Sequence, residues 1–239
     1  MPLTEEQLEH FYREGYVVVP GLVPREAIDA VRAAGPQQAN ADGKWQARSF
    51  DHKNPVKDKD IHQLLIEPHI NEAITQIFGN TPRAFYGMLA VVPAHGGNGL
   101  PWHQDNQYEQ MLGGALNTFV AISEITPDKA ILWVSPQSHR AGTQPSKENT
   151  TTAPGHREAI AEPENGVPLP TLQPGDVCIF DRNTYHRSLT NTTDEDRWAY
   201  AAQYLSANAR AAVTGKADPS FGHCPPVPEL AALWKEHAE

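Results

Sequence analysis

Cysteine is scarce in this chain of 239 residues: there are two, Cys178 and Cys224. Two are too few for a disulfide framework, and Cys178, set in Val177-Cys178-Ile179-Phe180, reads as a small buried hydrophobe. Positive charge is also in short supply. Nineteen Lys and Arg stand against 29 Asp and Glu, a formal net charge of −10. That balance argues against nucleic acid as a partner, because phosphates need a basic face, and suits an ordinary soluble enzyme. No apolar run approaches the length of a membrane span, and Met1 to Glu6 lack the basic, then apolar, pattern of a secretion signal. A cytoplasmic protein with no membrane partner is expected. Internal repeats and linkers are missing as well, so residues 1–239 are expected to form a single domain. Plentiful instead are proline (21) and glycine (17), scattered as short strands joined by turns require.

In chain order, Thr4 and Gln7 form a capping-box pair ahead of Leu8, Phe11 and Tyr12 at helical spacing, and Gly15 ends the run. Tyr16 to Val19 reads as a strand. Pro24 opens a second helix through Arg32, with Ala27, Ile28 and Val31 inward. Residues 35–60, polar around Trp45, suit a solvated loop, or a flap over a site. Pro68 to Phe78 reads as a third helix stopped by Gly79. From Pro82 the period becomes two. Ala84, Tyr86, Met88, Ala90 and Val92 should share one face, and Phe85, Leu89 and Val91 the other. Further strands are expected at 117–122, 131–135, 177–180 and 197–205. The stretch 140–170 has no periodicity and reads as a lid or a disordered loop. Pro226 to Glu236 suits a closing helix with Leu230, Leu233 and Trp234 inward. A helical flank (about 1–80), a β core (about 82–206) and a C-terminal helix (about 226–236) make the chain mainly β, an antiparallel sandwich or jelly roll.

Two stretches carry chemistry. Pro101-Trp102-His103-Gln104-Asp105 follows a loop with Gly96, Gly97 and Gly99, and offers an imidazole and a carboxylate two residues apart. On a strand end such a pair points to one side. An imidazole from a distant strand would complete the 2-His-1-carboxylate triad that leaves positions open on Fe(II). His186 offers that imidazole, and Ser188, two residues on, shares its side. Arg197, Ala199, Ala201 and Gln203 share one face of the last strand, opposite Trp198, Tyr200 and Tyr204. An arginine followed by small residues makes a cavity wall that presents a fork to a carboxylate. A surface ion pair with Asp194, Glu195 or Asp196 is the alternative on spacing.

These pieces resemble the phytanoyl-CoA dioxygenase family of Fe(II)/2-oxoglutarate oxygenases. The resemblance runs from Gly15-Tyr16-Val17-Val18-Val19 to about Leu205. It rests on Trp102-His103-Gln104-Asp105, on Leu132-Trp133-Val134-Ser135-Pro136-Gln137-Ser138-His139, on Leu172-Gln173-Pro174-Gly175-Asp176, and on His186-x-Ser188-x-x-Asn191 with Arg197. It implies a double-stranded β-helix, a cupin-like jelly roll. It implies His103, Asp105 and His186 as catalytic iron ligands, with Arg197 and Ser188 on the distal carboxylate of the 2-oxoglutarate co-substrate. Met88 and Phe119 match positions lining the co-substrate pocket, although core packing explains both equally well. Lys53 is a candidate for a further co-substrate contact. The implied reaction oxidises an unactivated C–H bond of a small molecule with dioxygen and releases succinate and CO2. Related halogenases carry Ala or Gly at the Asp105 position, so its carboxylate implies oxygenation here.

The chain departs from the family at Lys129-Ala130, where Asn-Gly is usual, and at Gln137, where Gly is usual. Altered loop geometry is expected at both. His139 reads as structural. Two other functions remain open at this level: a metal-binding jelly roll of another reaction class, which would not need Arg197 or Ser188, and a non-catalytic binding protein of the same fold. Trp102, Gln107 and Tyr108 are candidates for shaping a substrate pocket. Substrate identity and oligomeric state are not encoded legibly.

Overall fold

A computed structural model describes residues 2–35, 46–151, 153–212 and 221–237. Helix α1 (Glu5–Glu14) starts at the Thr4/Gln7 capping box and stops at Gly15, whose φ of 82° a side chain would resist. Strand β1 (Tyr16–Val19) follows, then α2 (Arg25–Ala34), which buries Ile28 and Val31. Strand β2 (Gln46–Ser49) lies within the stretch read as loop, because it pairs with the edge of β3 (Arg83–Val92). Trp45 falls outside the described residues. Helix α3 (Pro68–Phe78) has the expected bounds and buries Ile70, Ala73 and Ile74.

The remaining strands are β4 (Met111–Leu112), β5 (Ala115–Ala121), β6 (Leu132–Val134), β7 (Ser146–Glu148), β8 (Arg157–Ala159), β9 (Val167–Pro168), β10 (Val177–Asp181), β11 (His186–Ser188), β12 (Arg197–Leu205) and β13 (Arg210–Ala211). Helix α4 (Val227–Glu236) closes the described chain, with Leu230 and Trp234 buried and Leu233 half-covered. Six strands form the main sheet in the order β1-β10-β5-β12-β3-β2, and β11-β6-β9 form a smaller one. The two sheets face each other: Phe119, Ala121, Cys178, Phe180 and Ala199 from the first pack with Leu132 and Val134 from the second. This is the jelly roll expected from the pattern of elements. The opposite face of the main sheet carries the larger core, where Trp198, Tyr200 and Tyr204 meet the helices. No helix among the described residues is long and apolar enough to cross a membrane.

Two further expectations change. The first concerns strand parity. Tyr86 pairs with Gln203 but Ala84 pairs with Tyr204, so Phe85 is an extra residue, a β-bulge. The bulge reverses the alternation on its N-terminal side. Ala84 therefore joins Leu89 and Val91 in the core, while Phe85 joins Tyr86, Met88 and Ala90 on the cavity face. The second concerns 140–170, which is built rather than disordered. Strands β7 and β8 pair as a hairpin, β9 pairs with β6, and Asn149 ties the hairpin tip through its carboxamide to the Thr151 and Ala153 amides.

The two turn positions where the family usually carries glycine are occupied here by Ala130 and Gln137. Ala130 (φ 51°) and Gln137 (φ 64°) both hold the left-handed conformation. Glycine adopts that conformation freely, and each Cβ here carries a steric cost for it. Ala130 is fully buried, and the Gln137 amide donates to the Glu14 carbonyl, so each residue is held by its surroundings.

Candidate active site

His103 is not on a regular strand. It makes a single antiparallel bridge with His186: each main-chain amide donates to the other's carbonyl, at 3.0 and 2.9 Å. The bridge brings the two rings to 4.2 Å between centroids. Gln104 between them is extended (φ −117°, ψ 136°), so alternation sends the His103 and Asp105 side chains to one side, and Asp105 then opens a short 3-10 turn, Asp105–Gln107. One nitrogen of each imidazole and one carboxylate oxygen lie within 4.8 Å of one another. The Asp105 Oδ1 is 3.6 Å from His103 Nε2 and 3.9 Å from His186 Nε2.

The tautomers follow from the partners. His103 Nδ1 lies 2.8 Å from the Pro101 carbonyl, and His186 Nδ1 lies 3.0 Å from that of Thr184. A carbonyl only accepts, so both Nδ1 atoms carry a proton, and it is Nε2 of each ring that faces Asp105. Burial, then the neighbouring His103, pushes His186 down to about 4, so it stays neutral at physiological pH. For Asp105 burial works against ionisation, but the two imidazoles and Arg182 outweigh it and hold the carboxylate well below its usual range. Two imidazoles that present Nε2 and an ionised carboxylate on one side of a position suit a divalent iron with open coordination sites. The second ring nitrogens are already fixed by the main chain, as orienting partners of metal ligands should be.

A cavity of about 490 Å³ opens beside the triad, within the range of small-molecule sites. Met88, Phe119, Ser188 and Arg197 all line it. Arg197, Ala199, Ala201 and Gln203 face inward along β12, as alternation requires. Arg197 is 3% exposed, its guanidinium carbon 5.4 Å from the Phe119 ring centroid. Burial alone pushes it down to about 10, which leaves it charged at neutral pH. The acidic run beside it is engaged elsewhere: Glu195 accepts from Lys129 Nζ at 2.5 Å, and Asp196 from the Ala94 amide. Ser188 Oγ accepts from the Leu100 amide at 3.1 Å, which leaves its hydroxyl proton to donate.

Toward the other end of β12 the wall changes character. Phe85, Tyr86, Tyr108 and His156 line it, with Tyr108 edge-on to His103 and within 3.2 Å of His156 Nδ1. Burial pushes the Tyr108 hydroxyl up to about 12 and lowers His156. Of the other residues considered for the pocket, Trp102 packs with Ala159 and Tyr185, and Gln107 braces Gln104 and Gln144. Lys53 is exposed and does not line the cavity. His139 packs against Gly15, where a Cβ would fall 2.2 Å from its Nδ1.

Several residues of the site carry no local signal. Gln104, fully buried, donates to the Gly142 and Asn183 carbonyls and accepts from the Gln144 amide, locking the turn that bears Asp105. Gln203 donates to Asp105 Oδ2, and Arg182 to the Asp105 carbonyl. Asn117, opposite Gln203 on β5, is buried at the cavity wall with neither amide atom partnered by protein among the described residues. A carboxamide beside Thr118 in an otherwise apolar strand was its one sequence cue.

A family model described as phytanoyl-CoA dioxygenase matches residues 11–199. Ectoine dioxygenase of Sphingopyxis alaskensis is 24% identical over 269 residues, which cover 99% of this chain and 85% of the relative. Ectoine dioxygenase of Halomonas elongata is 23% identical, over 82% of this chain and 68% of the relative. Among solved structures, EvdO2 from Micromonospora carbonacea var. aurantiaca, complexed with 2-oxoglutarate, superposes with a TM-score of 0.71 at 21% identity, covering 92% and 95% of the two chains. The epimerase SnoN, in complex with Fe3+, alpha ketoglutarate and nogalamycin RO, gives 0.68 at 19% identity, covering 93% and 94%.

Proposed function

The chain belongs to the phytanoyl-CoA dioxygenase family, and from that premise we propose that it oxidises a C–H bond of a small molecule at the site just described. It is an Fe(II)- and 2-oxoglutarate-dependent oxygenase. The observation that carries the site assignment is the meeting of His103 Nε2, Asp105 Oδ1 and His186 Nε2 at a cavity that also holds a buried arginine. In this reading His103, Asp105 and His186 hold the iron. Bound there, Fe(II) supplies the redox chemistry that couples dioxygen and 2-oxoglutarate to substrate oxidation, with succinate and CO2 released.

The protein's part is binding, orientation and exclusion of water. Arg197 forks onto the distal carboxylate of 2-oxoglutarate and Ser188 donates its remaining proton to it, a charge-assisted pair. Ala199 and Ala201 leave room for the co-substrate between Arg197 and the metal. Met88 and Phe119 form the apolar walls of that room. The substrate enters over Phe85, Tyr86, Tyr108 and His156, where β8 and the 3-10 turn after Asp105 meet. Residues 1–239 act as one unit, a view supported by α1, whose terminal Gly15 carbonyl accepts from Asp181 and Thr184 just before His186.

His103→Ala and His186→Ala test the assignment. Each is expected to lose stoichiometric Fe(II) and all 2-oxoglutarate turnover, measured by metal analysis and succinate release. Full iron retention in both variants would remove these residues from the metal.

A further inference from the structure

Asp105 has two carboxylate oxygens, and they have different neighbours. Oδ1 faces both imidazole Nε2 atoms, at 3.6 and 3.9 Å. Oδ2 accepts from Gln203 Nε2 at 2.8 Å. Gln203 comes from β12, 98 positions away in sequence, and its Oε1 accepts from Arg182 Nη1. Arg182 Nη2 donates to the main-chain carbonyl of Asp105 at 3.1 Å, which closes a ring of three residues. Gln203 cannot be turned the other way. Arginine has only donors and an ionised carboxylate only acceptors, so the amide must give its N–H to Asp105 and its carbonyl to Arg182.

Arg182 is itself fixed. It is 3% exposed, its main-chain amide donates to the Ala115 carbonyl, its own carbonyl accepts from Asn106, and its guanidinium carbon lies 5.2 Å from the Phe85 ring centroid. Phe85 is the bulge residue of β3, and the register shift lies immediately after Gln203. The irregularity that reverses strand parity therefore brings an arginine, its aromatic support and the amide to the carboxylate together.

We propose that Gln203, held by Arg182, is a positioning residue that reserves Oδ2 and leaves Asp105 a single oxygen for the metal. This rests on the proposed function. A carboxylate with both oxygens free can chelate through both, as carboxylates on oxygen-liganded cations do, and would fill a position needed by co-substrate or dioxygen. An amide donor on one oxygen keeps the ligand one-armed. It also orients the other oxygen before metal arrives, the usual work of a hydrogen-bond partner behind a ligand.

The test uses the full-length protein under anaerobic conditions. Gln203→Met keeps the length of the side chain and deletes the donor; Gln203→Asn keeps an amide but withdraws it by one methylene. Thermal unfolding first establishes that each folds. Fe(II) affinity is measured by chelator competition, coordination by the Fe(II)–2-oxoglutarate charge-transfer band, and uncoupled turnover by the ratio of succinate formed to enzyme once air is admitted, with no other substrate added. Both variants are expected to bind Fe(II) about tenfold more weakly, to shift the band, and to raise the succinate ratio while the KM for 2-oxoglutarate stays within about twofold. A purely structural role would lower thermal stability and leave the band of the folded fraction in place. A wild-type protein that forms no band overturns the functional reading and this one with it. A wild-type band with unchanged affinity, band and uncoupled turnover in either folded variant overturns the role of Gln203 alone.

Discussion

Arg197 is buried beside the Phe119 ring, and its charge has been moved from water into a cavity wall. Desolvation makes such a group sensitive to what is placed opposite it. A dicarboxylate supplies the anion that water no longer screens, and the planar fork matches a carboxylate in a way an ammonium does not. Arg197→Ala is therefore expected to weaken 2-oxoglutarate binding by about 2–5 kcal/mol, part of which reflects the partner group left unpaired. Iron binding should stay near wild type. Anaerobic titration of the charge-transfer band measures both quantities. Arg197→Lys should recover only part of the loss; full recovery would show that charge without the fork suffices.

At the scale of elements, the loops between strands are shaped by close backbone approaches. Gly99 lies where β11 passes, and a Cβ there would fall 2.0 Å from the Ser188 carbonyl oxygen. Backbone cannot rotate away as a flexible side chain can. Gly99→Ala should displace β11, lowering both the melting temperature and 2-oxoglutarate affinity, since Ser188 and His186 move with it. Unchanged affinity in a stable Gly99→Ala protein would show that the loop yields instead. Gln137 poses the opposite case. It carries a side chain at φ 64°, and its carboxamide donates to Glu14 at 3.2 Å on an exposed surface. Relief of left-handed strain should outweigh that bond, so Gln137→Gly is expected to stabilise by up to about 1 kcal/mol. For a chain of this size that is roughly 2–4 °C in Tm, read by calorimetry. A fall in Tm would assign the greater weight to the Glu14 contact.

For the molecule as a whole, acid should destabilise the fold through buried imidazoles. His62 is 1% exposed and sits between the helical layer and the main sheet, its Nδ1 2.9 Å from the Tyr200 hydroxyl. Burial pushes it down to about 4 from 6.5. Between those values the unfolded chain binds a proton that the folded chain refuses, so stability rises with pH across that window. It is fully present above about 6.5 and lost as pH falls toward 4, worth roughly 3 kcal/mol at about 1.4 kcal/mol per unit. His62→Gln retains a hydrogen-bonding group but cannot titrate. Its stability, followed by chemical denaturation from pH 7 to 4, should fall less steeply than that of wild type. Identical slopes would place the acid sensitivity elsewhere.

Helix and strand positions were largely legible in the sequence. A capping box with a terminal glycine brackets α1, and the 3.6 and 2.0 periods mark α3 and β12, because these signals are local. The candidate ligands were legible for a related reason: His103 and Asp105 lie within one tripeptide, and His186 and Arg197 on strands whose alternation states which way they face. The bulge at Phe85 was not legible. One inserted residue reverses parity without altering composition, and only the partner strand reveals it. Order in 140–170 likewise depends on distant partners, β6 for β9 and Tyr108 for the Arg157 amide. The ring of Asp105, Gln203 and Arg182 is the clearest case. A glutamine on a strand has no preferred partner until register, bulge and turn have placed a carboxylate within reach. Tertiary structure alone decided which oxygen of Asp105 faces the imidazoles.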